Sequence, residues 1–131
     1  MKFSPMLLVL VLGIAGCVQY GQQPTATPAA TNVIEITASG FNPSSLTIKA
    51  GETVTWLNNG NAPTWPASAV HPTHRVYPGS DITKCGTGET IFDACKGLAN
   101  GESFSFTFNN KGTWGYHDHL NPSLFGKIVV E

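Results

Sequence analysis

The sequence predicts an all-β protein, a sandwich of short strands interrupted by one long connection. Several segments alternate apolar and polar residues with a period of two, which is the pattern of half-buried strands. Turns rich in glycine, proline and asparagine separate these segments, and no stretch after residue 32 has a plausible helical pattern. Many short strands with frequent turn signals favour an antiparallel sandwich or barrel.

The strands are predicted from alternation and β propensity at residues 33–37, 45–50, 53–57, 103–108, 113–117 and 126–130. Alternation places the larger aromatic residues of these strands in the core: Trp56, Phe104, Phe106, Phe108 and Trp114. Residues 62–100 have no clear period and carry several prolines and glycines. Connections of this length usually carry function or are held by a cross-link such as a disulfide, and we expect both here.

The first 32 residues are predicted to lie outside the folded domain. Lys2 and the apolar run that follows it form a secretory signal over residues 1–16, because the run is too short to span a bilayer. Small residues before Cys17 resemble a lipoprotein signal box, which implies lipid attachment to that thiol and a membrane anchor. An ordinary signal peptide with an incidental cysteine is the alternative. Residues 17–32 form a polar, uncharged tether, and residues 33–131 form the domain.

Charge and cysteine content limit the function classes. The formal net charge is −1, so there is no basic surface for nucleic acid. Cys85 and Cys95 form an even pair in a protein that we expect to be exported, which predicts a disulfide. The alternative is that these two thiols bind metal.

The four histidines of the chain fall into two short motifs. His71 and His74 lie in the sequence HPTH, and His117 and His119 lie in HDH at the end of a predicted strand. Residues i and i+2 of a strand point to the same side, so His117 and His119 can chelate one ion. A turn at HPTH brings its two imidazoles to one side. Three or four neutral imidazoles suit copper or zinc, and the affinity order favours copper.

Two halves of the chain resemble a known family. The segment FNPSSLTI at 41–48, followed by AGETVTWLNN at 50–59, is similar to the first half of cupredoxins. The segments GTWGY at 112–116 and GKIVV at 126–130 are similar to the ending of plastocyanin- and amicyanin-type proteins. The resemblance implies a Greek-key cupredoxin-like β-sandwich with a long inserted loop, a copper site at one end, and electron transfer.

The usual copper ligands of that family are missing from the matching positions. The resemblance places Asp118 at the cysteine position, Asn121 at the histidine, Leu124 at the methionine and Thr64 at the upstream histidine. Both methionines of the chain precede residue 17. A thiolate blue-copper centre with a thioether ligand therefore cannot be built in the usual way.

The sequence GTWGYHDH also resembles the HxH copper motif of multicopper oxidases, which supports copper and not oxidase activity. We therefore predict that His71, His74, His117 and His119 bind copper, as Cu(II) or Cu(I), with zinc as the alternative metal. The supporting residues around them are predicted to be Asp118, Asn121, Thr64 and Trp65. Tyr77 is a further candidate for the lining of the site.

The predicted function is copper handling or one-electron transfer outside the membrane, with a redox or copper-donor protein as partner. Two other classes remain open at this point. One is a small copper- or zinc-dependent enzyme acting on an oxygen species or on water, for which the sequence offers no general base beyond Asp118. The other is a structural surface module whose histidines are incidental.

Overall fold

The computed structural model describes residues 32–131, and their strands form two four-stranded sheets. The predicted signal peptide, Cys17 and the tether up to residue 31 lie outside these residues. The strands are β1 Val33–Thr37, β2 Gly40–Asn42, β3 Ser45–Ile48, β4 Thr53–Asn58, β5 Pro66–Ser68, β6 Ser103–Thr107, β7 Gly112–Asp118 and β8 Asn121–Val130. Within the described residues the only helical segment is a 3-10 turn, Ile82–Lys84. None of these residues belongs to a helix that is long and apolar enough to cross a membrane.

One sheet has the order β2-β1-β4-β6, and the other has the order β3-β8-β7-β5. The predicted all-β sandwich is confirmed, but its sheets are mixed and not purely antiparallel. β1 pairs in parallel with β4, and β3 pairs in parallel with β8. These two parallel pairs join strands that are distant in sequence, which alternation alone does not reveal.

Three strand assignments differ from the sequence prediction. β2 forms at residues 40–42, which lie outside every predicted strand; these residues turn back and pair with β1. β5 forms inside the long connection and pairs with β7. β8 begins at Asn121 and not at residue 126, where the last strand was predicted to start. In each case pairing with a neighbouring strand prevails over local turn propensity.

The core lies between the sheets and is rich in aromatic residues. Trp56 is fully buried, and its ring packs against Phe92 at a centroid distance of 5.2 Å and against Tyr116 at 5.3 Å. The five aromatic residues predicted from alternation are buried or pack against this cluster, which confirms that prediction. Phe92 and Tyr77 come from the long connection, so that segment contributes to the core as well as covering it.

Candidate metal centre

The HDH motif lies where β7 ends. His117 is opposite Ala67 of β5 and Phe125 of β8, and a register irregularity follows between His117 and Asp118. Just beyond the strand, the backbone N–H of His119 donates to the carbonyl of Trp65 at 2.8 Å. The two histidines are therefore fixed by strand pairing on one side and by the start of the long connection on the other.

The HPTH motif lies in a turn of the connection that follows β5. His71 is exposed, whereas His74 is fully buried. The backbone N–H of His74 donates to the carbonyl of Val70 at 2.9 Å, which closes the turn. His74 has a φ of 59°, a left-handed conformation that costs a non-glycine residue about 1–2 kcal/mol. Such a conformation persists only where surrounding contacts hold it, and it is common at functional sites.

The fold brings all four histidines together. Each of them offers a ring nitrogen, and these four atoms lie within 4.8 Å of one another. Metal–imidazole bonds are about 2.0–2.1 Å long, so nitrogens on opposite sides of an ion are about 4 Å apart. The separations are therefore already close to those of a four-imidazole centre, and small side-chain movements would complete it.

Asp93 orients one of the four rings. Its Oδ2 lies 2.5 Å from His74 Nδ1, and both side chains are buried. Its Oδ1 accepts from the indole N–H of Trp65 at 2.6 Å and from the backbone N–H of Cys95 at 2.8 Å. A carboxylate that accepts a hydrogen bond from Nδ1–H keeps the proton on Nδ1 and leaves Nε2 free to bind a metal. The Nε2 atom of His74 is directed into the cluster, 3.0 Å from His119 Nδ1.

Burial and the neighbouring imidazoles favour the neutral form of His117 and His119. Desolvation, followed by the neighbouring rings of His74 and His71, lowers the pKa of His117 from 6.5 to about 4. The same causes lower the pKa of His119. Burial alone would raise the pKa of Asp93, but hydrogen bonds from His74, Trp65 and the Cys95 backbone outweigh it and lower that pKa. A neutral imidazole is the form that binds metal, and a carboxylate is the form that orients His74.

His117 supplies the most direct test of whether the residues suit a metal. The side chain is 5 % exposed, and within residues 32–131 neither of its ring nitrogens has a hydrogen-bond partner. Buried polar atoms without partners are costly, about 1–3 kcal/mol each, and call for a specific explanation. A metal ion bound to one nitrogen removes part of that cost, so the donor set fits copper.

Trp65, one of the predicted supporting residues, lies against the cluster. Its ring centroid is 4.4 Å from that of His119, and its indole N–H holds Asp93. The backbone N–H of Trp65 donates to Asp118 Oδ1 at 2.8 Å, and the same oxygen accepts from the backbone N–H of Leu120 at 3.0 Å. Asp118 thus joins the start of the long connection to the residue that follows the HDH motif.

The positions that the resemblance assigned to the usual ligands lie together at a separate place. Thr64, Asp118, Asn121 and Leu124 line one cavity of about 470 Å³. None of the four histidines lines it. Thr64 and Asn121 therefore lie by this cavity, and the histidine cluster occupies a different position at the same end of the chain's strands.

Tyr77 does not line the metal centre. It is 3 % exposed within the aromatic core, where its hydroxyl accepts from the backbone N–H groups of Asn109 and Asn110 at 3.1 and 3.3 Å. The sequence interpretation of Tyr77 as a site residue was wrong, because the connection folds inward after HPTH and packs this ring against Phe106 and Trp114.

The predicted disulfide between Cys85 and Cys95 is confirmed. The sulfur atoms are bonded, and the two Cα atoms are 5.4 Å apart. The bond closes a loop within the long connection. Because Cys95 donates its backbone N–H to Asp93, the disulfide lies directly behind the residue that orients His74.

A β-sandwich with four histidines gathered at the end of β7 and in the connection after β5 defines the class of protein, a cupredoxin-type domain with a group that could hold a metal. The model of the family "Copper binding proteins, plastocyanin/azurin family" matches residues 29–131. The chain belongs to this copper-binding family, which confirms the resemblance found in its two halves and copper as the cofactor of its relatives.

Proteins with similar sequences support the family assignment. The chain is 37% identical over 93 residues to plastocyanin of Scenedesmus fuscus, covering 70% of this chain and 86% of that one. It is 31% identical over 101 residues to amicyanin of Paracoccus denitrificans, covering 76% and 64%. It spans 54% of the chloroplastic plastocyanin of Hordeum vulgare.

Solved structures show the same fold. Amicyanin from Paracoccus versutus superposes with a TM-score of 0.57 at 26% identity, covering 81% of this chain and 86% of that one. A novel purple cupredoxin from Nitrosopumilus maritimus superposes with a TM-score of 0.58 at 23% identity, covering 76% and 98%.

Proposed function

We propose that the protein binds one copper ion through His71, His74, His117 and His119, and that it handles copper or exchanges single electrons at that centre. The observation that carries the proposal is His117, whose two ring nitrogens are buried without a partner beside three other imidazoles. Membership of a copper-binding family supports copper over zinc.

The donor set favours a centre without thiolate. Cys85 and Cys95 are joined in the disulfide, and no methionine occurs after residue 6. Copper held by imidazoles alone lacks the cysteine ligand of blue-copper centres. When bound, copper would supply a Cu(II)/Cu(I) couple, while Asp93 holds His74 in the correct tautomer and the surrounding residues keep His117 and His119 neutral.

Solvent reaches the site through His71. His74 and His117 are buried and His119 is partly buried, so His71 is the exposed member of the set. This arrangement leaves one ligand at the surface, where a redox or copper-donor protein can approach. The predicted signal peptide and the lipid anchor at Cys17 place this exchange outside the cytoplasm, at a membrane surface.

Titration with Cu(II) in the presence of a competing chelator tests the site. We expect one copper per protein and a loss of affinity of at least about 10- to 100-fold in His117→Ala. Asn121→Ala is the control, because Asn121 belongs to the cavity at the usual ligand positions and not to the histidine cluster. Equal binding by His117→Ala and the parent protein, or a large loss in Asn121→Ala, would show that copper binds elsewhere.

The predicted anchor needs a separate measurement. Mass spectrometry of the mature protein is expected to show a chain that begins at Cys17 with a lipid mass attached. The substitution Cys17→Ser should release the protein from membranes. A mature chain that begins elsewhere, or that is released from membranes without the substitution, contradicts the anchor and leaves the copper site unaffected.

A further inference from the structure

The Cys85–Cys95 pair lies against the residue that orients the metal centre. Cys95 donates its backbone N–H to Asp93 Oδ1, and Asp93 Oδ2 faces His74. We propose that this pair, once reduced, forms a second metal site of thiolate character that binds Cu(I) and adjoins the histidine cluster through Asp93. The proposal does not require copper to bind the four histidines.

The geometry of the pair suits an ion. One donor atom each from Cys85, Asp93 and Cys95 lie within 4.8 Å of one another. Metal–thiolate bonds of about 2.3 Å allow two sulfurs on opposite sides of an ion to be about 4.6 Å apart. A Cα–Cα distance of 5.4 Å is compatible with such a sulfur–sulfur separation once the S–S bond is broken. Soft thiolates select Cu(I) over harder ions.

A reductant can reach the disulfide. Cys85 and Cys95 are both partly exposed, and most of the residues between them are exposed. A small-molecule thiol is the co-reactant: two RSH molecules reduce the S–S bond to two cysteine thiols and leave as RSSR. Cu(I) then replaces the two thiol protons, which are released to solvent, and no further oxidant or reductant takes part.

Asp93 connects the two sites, because it contacts both His74 and the backbone of Cys95. Asp93 is held by Trp65 and His74 as well as by the backbone N–H of Cys95. At least two of its three hydrogen-bond partners are therefore independent of the disulfide. Cys95 itself has a φ of 57°, a conformation that non-glycine residues adopt only when other contacts hold it. An imidazole centre suited to Cu(II) and a thiolate centre suited to Cu(I) would then lie on either side of one carboxylate.

The test measures Cu(I) affinity under anaerobic conditions. The purified protein is reduced with a phosphine, freed of it, and titrated with Cu(I) against a chromophoric Cu(I) chelator. Oxidised protein, Cys85→Ser/Cys95→Ser and His117→Ala are titrated in parallel. We expect the reduced protein to bind its tightest Cu(I) with an ultraviolet thiolate-to-copper band, about 100-fold tighter than the oxidised protein or the serine variant binds Cu(I).

His117→Ala separates this site from the histidine cluster. If the proposal holds, reduced His117→Ala keeps the tight Cu(I) binding and the thiolate band, even where its Cu(II) binding is lost. The proposal is overturned if reduction does not tighten Cu(I) binding, or if the tighter binding disappears in reduced His117→Ala. If the serine variant fails to fold, the oxidised parent protein remains a comparator in which Cys85 and Cys95 are not free thiols.

Discussion

The substitution Asp93→Asn tests how the protein prepares His74 for a metal. Asp93 accepts two N–H groups on Oδ1, from Trp65 and Cys95, and faces His74 Nδ1 with Oδ2. An asparagine has one oxygen and one NH₂ group, so it cannot satisfy both sides. If its NH₂ faces Trp65 and Cys95, donors oppose donors. If it faces His74, the ring must carry its proton on Nε2, the nitrogen that points into the cluster.

The size of the effect follows from burial. Asp93 is 4 % exposed and His74 is 0 % exposed, so lost hydrogen bonds are not replaced by water. Hydrogen bonds to charged groups contribute about 1.5–3 kcal/mol, and we expect the apoprotein to lose about 2–3 kcal/mol of unfolding free energy. Loss of a carboxylate behind a ligating histidine typically costs about 10- to 100-fold in metal affinity, and we expect Cu(II) affinity to fall by that factor.

Two measurements check this prediction, chemical denaturation of the apoprotein and Cu(II) titration against a competing chelator. Glu89→Gln is the matched control, because it makes the same carboxylate-to-amide change in the same connection. Glu89 is exposed, and within residues 32–131 its only salt bridge is to Lys84. We expect it to leave both quantities nearly unchanged. Cu(II) affinity in Asp93→Asn within about twofold of the parent value would refute the orienting role of the carboxylate.

Two further predictions concern the apoprotein. The pKa of His117 is about 4 in the fold, below the 6.5 of an unperturbed histidine, so between these pH values the unfolded chain binds the proton and the folded chain does not. The unfolding free energy should therefore fall by up to about 3 kcal/mol as the pH drops from 6.5 to 4, and this fall should be smaller in His117→Phe. Denaturation at a series of pH values measures it, and the same dependence on pH in both proteins would contradict the prediction. Gly126→Ala places a Cβ 2.5 Å from the Tyr116 hydroxyl and 2.7 Å from the Ser44 carbonyl, and should lower stability by about 1–3 kcal/mol. Gly115→Ala meets only an ordinary contact at 3.6 Å and is the control, and similar melting temperatures for the two variants would refute the close packing.

The strands predicted from alternation were found because one face of each strand is buried. β1, β3, β4 and β6 follow this pattern, and their residues were located close to their observed bounds. β5 could not be predicted in this way, since all three of its residues are buried and one of them is proline. Its existence depends on pairing with β7, which is a property of the tertiary structure.

The histidine cluster was predictable because all four histidines of the chain fall into two short motifs, HPTH and HDH, whose spacing suits chelation. Asp93 was missed. It lies 19 residues after His74 in a segment without periodicity, and nothing local marks it as different from the other acidic residues of the chain. Only the folding of the long connection brings its carboxylate behind the ring, so its role follows from the structure and not from the sequence pattern.

The central claim, that Cu(II) binds to imidazoles and not to a thiolate in the protein with Cys85 and Cys95 joined, is tested most directly by electron paramagnetic resonance and visible absorption of the Cu(II)-loaded protein. We predict hyperfine structure from several imidazole nitrogens, no intense thiolate absorption, and a changed spectrum in His117→Ala. An intense thiolate band, or a spectrum that is identical in the parent protein and in His117→Ala, would contradict the four-histidine centre.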